Sequence, residues 1–243
     1  MRFKLTIEYD GSDYHGWQIQ PNGRTIQQTL EEAVTRFTGE HVRVAAAGRT
    51  DAGVHAAGQV ISFVLQAPRA PDVVQRALNA LTPRDISVTS VEEVGDDFDP
   101  RRAARRRMYV YRIWNARVPS PFWRRYAWHV LQPLDCDAMG TAAAALMGDH
   151  DFSVFQAAGC DADNPVRRVL RSELARRGQL ISYTIEATAF LRHMVRNIIG
   201  TLVEVGGGER SAADLPRLLA THDRTQAGPT APACGLCLTR VAY

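Results

Sequence analysis

The sequence predicts an α/β (α+β) protein of two domains, each built on a mostly antiparallel sheet. Three observations lead there. Short runs alternate apolar and polar residues, the period of half-buried strands, and between them the period lengthens to that of helices. An acidic, polar stretch at 95–100 divides this pattern in two, giving expected domains at 1–97 and 98–243 with a cleft between them. The 243 residues, 45% hydrophobic, are enough for a sizeable core.

Residues 2–9 alternate as a strand, and 10–24, rich in Gly, Asp, Asn and Pro, read as a loop. Thr25 and Gln28 have the capping-box spacing that opens an amphipathic helix to about Phe37. A strand is expected at 41–47, a glycine-containing loop at 48–55 and a strand at 59–65. Pro71 suits the first turn of a helix to about Leu81, and 85–94 is the next strand. The order β-α-β-β-α-β is the ferredoxin-like arrangement. In the second half, strands are expected at 108–114, 126–130, 166–176, 180–187 and 236–241. Helices are expected at 135–147, 191–205 and 211–220.

No stretch approaches the roughly 20 apolar residues of a membrane span. Met1-Arg2-Phe3-Lys4-Leu5 begins as a strand and carries no signal-peptide core, so the expectation is a soluble, cytoplasmic protein without a membrane partner. The net charge is only +3, but Lys4 is the sole lysine and every other cation apart from histidine is Arg. Arg grips phosphate with a planar fork, which suits RNA; a GC-rich coding sequence explains the same bias. The run from Arg101 to Arg107, continuing to Arg112, has no interleaved acids and abuts Tyr109 and Tyr111, which favours an RNA backbone contact over a solvated face. Arg124-Arg125 and Arg167-Arg168 extend the patch, and Tyr14, His15 and Trp17 are further candidates for RNA contact.

Chemistry concentrates in Gly48-Arg49-Thr50-Asp51-Ala52-Gly53-Val54-His55-Ala56. Its glycines permit tight turns or close approach of a ligand, and Asp51 lies between them. An ordinary turn with an Asx-type hydrogen bond fits the same residues. This segment, however, resembles the signature loop of the TruA-type pseudouridine synthase family. Other segments match in the family's order: Tyr9-Asp10-Gly11-Ser12 with Tyr14-His15-Gly16-Trp17-Gln18, Phe98-Asp99-Pro100-Arg101, Tyr109-Val110-Tyr111, Asp151-Phe152-Ser153-Val154-Phe155, His193-Met194-Val195-Arg196-Asn197, and Ala227-Gly228-Pro229-Thr230-Ala231-Pro232 with Gly235-Leu236. The likeness spans nearly the whole chain. Pro100, where the family commonly has a small residue, and Cys237, where it often has a larger one, depart from the pattern.

The resemblance implies an isomerase that converts uridine to pseudouridine at positions 38, 39 and 40 of the tRNA anticodon stem-loop, without cofactor or metal. It implies that RNA lies in the central cleft and that a homodimer binds it across both subunits. Asp51 would be the nucleophile and Tyr109 the aromatic face for the flipped base. Leu238 would pack beneath the base, while Arg49, Arg101 and Arg105 would contact RNA. A carboxylate in a dry pocket is neutralised by burial unless a cation stands beside it, so an Arg facing Asp51 is expected. On the helix at 191–205, Arg192 falls inside the apolar arc and Arg196 at its border; a cation there finds a partner or snorkels to water. The resemblance selects Arg196.

Two motifs distract. Cys234-Gly235-Leu236-Cys237 lacks the second ligand pair of a zinc site, because Cys136 and Cys160 have no such spacing. Gly206-Gly207-Gly208 lacks the Lys-Ser/Thr of a phosphate loop and reads as a helix end. Two rival functions are an RNA-binding module without catalysis and a Mg²⁺-dependent phosphoester hydrolase. The second needs several convergent carboxylates, and Asp51 has no acidic neighbour in sequence.

Overall fold

The computed structural model describes residues 1–157 and 164–243. The fold is mixed α/β, and the chain divides into two compact units, Met1–Arg105 with Cys237–Tyr243, and Arg106–Leu236. The strand expected at the end of the second half therefore returns to the first unit. No helix among the described residues is long and apolar enough to cross a membrane.

In the first unit, β1 (Arg2–Tyr9) runs antiparallel to both β3 (His55–Val64) and β4 (Ile86–Val94). Its alternation puts Phe3, Leu5 and Ile7 into the core, all fully buried. Helix α1 (Ile26–Thr38) starts where Thr25 accepts a hydrogen bond from the Gln28 amide, and stops at Gly39 in the left-handed region. Helix α2 (Pro71–Leu81) has Pro71 in its first turn and buries Val74 and Leu78.

The strand expected at 41–47 shrinks to β2, Ala45–Ala46. Side chains of α1 capture the groups a longer strand would use. Glu31 accepts from the Val44 amide at 2.9 Å, and Gln27 donates to the Val44 carbonyl at 3.1 Å. The edge of β3 is also shared. Ala45 and Ala46 pair with Ser62 and Ile61, while Cys237 and Leu238 of β10 (Leu236–Ala242) pair in parallel with His55 and Ala56. Strand β3 thus begins four residues earlier than the periodicity suggests.

The sole lysine fastens this unit's late segments. Lys4 pairs with Glu92 at 2.8 Å and lies 4.8 Å from the ring of Tyr243, whose hydroxyl donates to the Pro100 carbonyl at 3.0 Å.

In the second unit the sheet order is β5 (Arg106–Asn115), β9 (Leu180–Ala187), β8 (Val166–Arg177) and β7 (Gly148–Asp151), all antiparallel, with β6 (Trp128–Val130) parallel to β5. Strand β7 escapes the sequence reading because its residues, Gly-Asp-His-Asp, show no apolar alternation; backbone pairing to β8 alone makes it a strand. Helix α3 (Cys136–Ala144) is capped by Asp135 and ends before the expected Met147 in tighter turns. Helix α4 (Met194–Gly206) starts after His193, held at φ 60, so the helical projection does not reach Arg192. The helix expected at 211–220 splits into a 3-10 turn, Ala212–Asp214, and α5 (Leu215–Thr221). Pro216 lacks an amide hydrogen and is tolerated only in a helix's first turn, so α5 restarts there. Tyr111, Tyr183, Phe152, Phe155, Ile198 and Leu202 form the core.

Candidate active site

Asp51 lies in a turn closed by the Val54 amide donating to its carbonyl at 3.1 Å, with Gly53 at φ 78. Thr50 and Val54 are buried on either side, while Asp51 itself is half-exposed. Thr50 is the peg. Its hydroxyl is 2.8 Å from the Tyr9 hydroxyl, and its carbonyl accepts from the Trp17 amide at 3.0 Å. Upstream, Gln59 donates to the Gly48 carbonyl at 2.7 Å. The Asp51 backbone is therefore fixed from both sides by groups outside the turn.

The long loop at 10–24 is the larger part of that support. Tyr14 and Trp17 were candidates for RNA contact, but they are only 2% and 3% exposed and pack inward as pins; His15 alone of the three is exposed. The Tyr14 hydroxyl donates to Asp85 at 2.7 Å, and Arg24 lies 5.3 Å from its ring. Burial, and then the Asp85 carboxylate, raise the Tyr14 phenol well above its ordinary value, so it stays a donor. His55 Nδ1 lies 3.1 Å from both the Gly11 amide and Asp10 Oδ1. It accepts from the Gly11 amide.

Two glycines let this loop touch the turn. A Cβ on Gly11 would lie 2.0 Å from the Val54 carbonyl oxygen, and one on Gly16 would lie 2.8 Å from the Thr50 oxygen and 3.1 Å from the Asp51 carbonyl carbon. Gly16 also holds φ 84, which L side chains avoid. Gly16→Ala is expected to destabilise the protein by about 2 kcal/mol. Displacing the turn by about 1 Å should also cut kcat by roughly 100-fold. Denaturant unfolding and single-turnover kinetics check the two effects separately.

Of the other residues singled out in the first unit, Arg49 is exposed beside Asp51, and Leu238 is fully buried on β10 opposite Ala56, one residue into the strand that leaves the loop. Arg101 and Arg105 are exposed. Asp99 orders the first of them, accepting from the Arg101 amide at 2.8 Å and the Arg102 amide at 3.0 Å. Those amides, the one of Arg102 foremost, hold the Asp99 carboxyl below its ordinary value. The arginine run is not free of acids in space: Arg102 lies 4.0 Å from Asp99, and Arg106 lies 3.8 Å from Glu186.

In the second unit Tyr109 and Tyr111 share a face of β5 but differ in setting. Tyr111 is sealed in the core, its hydroxyl donating to the Pro232 carbonyl at 2.8 Å. Tyr109 keeps 8% exposure and meets Phe190 edge-on at 5.0 Å. Burial pushes the Tyr111 phenol far up, Cys234 adds to the rise, and Arg196 opposes it, so the Arg196 charge lies in this neighbourhood. Arg196 is half-buried in the first turn of α4. Its Nε donates to the Ala231 carbonyl at 2.7 Å, and its own carbonyl accepts from the Ala231 amide at 3.1 Å. This two-way clasp fixes the guanidinium plane. Arg192 lies in the turn before the helix and is exposed. Asn197, fully buried, anchors the same turn by donating to the Phe155 carbonyl and accepting from Arg224 and Thr230.

Among the described residues Cys136, Cys234 and Cys237 are free thiols. Cys234 points its thiol at the Ala127 carbonyl, 3.7 Å away, and burial raises it above its ordinary value. Among the described residues no group of three or more His, Cys, Asp or Glu is arranged to hold a metal ion. Cys160 lies outside the described residues. The Gly11 and Gly16 contacts and the Thr50 peg escape residue-by-residue reading. Their signal was the order of matching segments, which places 9–18 and 48–56 together in one resemblance.

Comparison with known proteins gives this arrangement its context. The family described as tRNA pseudouridine synthase matches residues 5–101 and 142–243. The tRNA pseudouridine synthase A of Myxococcus xanthus is 49% identical over 243 residues, covering 100% of this chain and 92% of the relative. That of Methylobacterium sp. (strain 4-46) is 50% identical over 243 residues, covering 100% and 97%. That of Moorella thermoacetica is 48% identical over 242 residues, covering 99% and 98%. With matches this long spanning both the Asp51 turn and the Arg196 helix, the chain belongs to the tRNA pseudouridine synthase family, a group of isomerases.

Proposed function

We propose that this chain isomerises uridine to pseudouridine at positions 38, 39 and 40 of the tRNA anticodon stem-loop, with Asp51 as the nucleophile. The observation that carries the reading is the Asp51 turn, a half-exposed carboxylate on a backbone held by Tyr9, Thr50 and Trp17. A nucleophile needs that combination of access and fixed position.

The N1–C1′ glycosidic bond breaks, the uracil turns while Asp51 holds a covalent adduct, and a C5–C1′ bond forms. The C5 hydrogen leaves as a proton and N1 gains one, so atoms and electrons balance without a cofactor or metal. Tyr109 offers its face to the flipped base, and Leu238 packs beneath it. Arg196 serves as the cation that keeps the nucleophile charged when the bound base displaces water around it. Arg49, Arg101 and Arg105 hold phosphates, as exposed guanidinium groups do. The enzyme acts as a cytoplasmic homodimer.

The test uses tRNA tritiated at uracil C5, with a chelator present. Tritium release is expected, and it should vanish when the uridines at 38–40 are replaced by cytidine. Absence of release from every tRNA offered would sink the assignment. Release only without chelator would overturn the metal-free reaction.

A further inference from the structure

The loop between β5 and β6 has no part in the chemistry above, yet it is built with care. Trp114 and Trp123 stack at 6.5 Å with 21° between their planes, and the Trp114 indole donates to the Val118 carbonyl at 3.0 Å. The Arg124 amide donates to the Ser120 carbonyl and the Ala127 amide to the Trp123 carbonyl, at 3.0 and 2.9 Å. His129 Nε2 bonds the Ala116 carbonyl at 2.9 Å, tying β6 back to the loop's start. The outcome is a braced platform that holds apolar side chains out in water: Phe122 is 85% exposed and Val118 is 70% exposed. Folding gains nothing from an aromatic ring in that position.

We infer that this platform is a second RNA contact, in which Phe122 stacks on an unpaired base of the tRNA while Arg117 and Arg124 hold the flanking phosphates. The inference rests on the tRNA reading above. Three observations carry it. Arg117 and Arg124 are exposed in the same loop as Phe122, and residues 116–131 contain no Asp or Glu. An aromatic face flanked by guanidinium groups is how proteins take hold of splayed, single-stranded RNA. The bracing fixes the loop that carries the ring before binding, which lowers the entropy cost of contact. A second copy of the chain fits less well. A two-fold contact sets the patch against itself, cations toward cations, with no acid in the segment to compensate.

The platform follows the far end of β5. From Tyr109 to Asn115 the strand extends roughly 20 Å, so Phe122 acts on binding rather than on the reacting uridine.

The test compares wild type with Phe122→Ala, Phe122→Trp and the double variant Arg117→Ala/Arg124→Ala. Filter binding gives Kd for tRNA, and C5-tritium release gives KM and kcat. Phe122→Ala should raise Kd and KM about 5- to 150-fold with kcat held, and Phe122→Trp should restore both. The double arginine variant should lower the slope of log K against log salt by about two. Kd and KM within two-fold of wild type for Phe122→Ala would overturn the inference. So would a smaller assembly in sedimentation, which would make the patch a subunit interface. A wild type that binds tRNA but releases no tritium defeats the function proposed above and leaves Kd still able to judge the platform.

Discussion

Asp51→Ala should lower C5-tritium release by a factor on the order of 10⁴ to 10⁶, since on the proposed mechanism it removes the covalent nucleophile and leaves only binding and positioning to act. In barrier terms that is about 5–8 kcal/mol. Backbone and Thr50 bonds hold the turn around Asp51. The Val54 amide bonds the Asp51 carbonyl, the Trp17 amide bonds the Thr50 carbonyl, and the Thr50 hydroxyl meets Tyr9. The variant should accordingly melt within a few degrees of wild type and bind tRNA with similar affinity. Asp51→Asn is the sharper version, keeping size and polarity while losing the carboxylate. It should be nearly as inactive. Release within ten-fold of wild type from the Asn variant would show that Asp51 arranges the site and another group attacks.

Gly200→Ala should be the most damaging single methyl in the second unit. A Cβ there would lie 1.6 Å from the Pro229 carbonyl oxygen, a backbone atom that cannot swing aside. Gly228 faces it, with its own added Cβ only 2.8 Å from the Gly200 carbonyl carbon, so helix α4 and the segment beside it pack backbone on backbone. Relief requires moving 228–231, which carries the Gly228 amide bond to Thr201 at 2.9 Å and the clasp between Ala231 and Arg196. Overpacking of this kind costs about 3 kcal/mol, and the melting temperature should fall by about 6–12 °C. Activity should fall even at temperatures where the variant stays folded, because Arg196 loses its anchor. Gly140, on α3 with nothing within 4 Å of an added Cβ, is the control: its alanine variant should be neutral or slightly stabilised. Full activity in folded Gly200→Ala would detach Arg196 from the chemistry.

These two cases mark what the sequence makes legible. Strand β1, helix α2 and strand β9 follow from periodicity and a well-placed proline, because local pattern and tertiary burial agree there. The cap at Thr25 follows from side-chain chemistry alone. Where tertiary partners decide, the reading fails. Val44, just before β2, spends its hydrogen bonds on Glu31 and Gln27, and β7 is held by β8 without an apolar face. Tyr14 and Trp17 look like RNA-facing aromatics in a polar loop, but they are buried pins, since a loop's composition does not say which side chains turn inward. Arg192 was projected onto a helix that starts two residues later. For the site, a residue match names Asp51, Tyr109 and Arg196. It does not reveal that bare backbone at Gly16 and Gly200 sets where two of them stand.

The parallel pairing of Cys237 and Leu238 with His55 and Ala56 also has a consequence for biosynthesis. The ribosome makes β3 and the Asp51 turn well before β10, the strand that covers their edge. At cellular elongation rates the gap is about 10–35 s. Throughout that interval the start of β3 presents unpaired amides and carbonyls, the condition that invites pairing with a foreign strand. The nascent first unit is therefore a natural client for chaperones until β10 has been made.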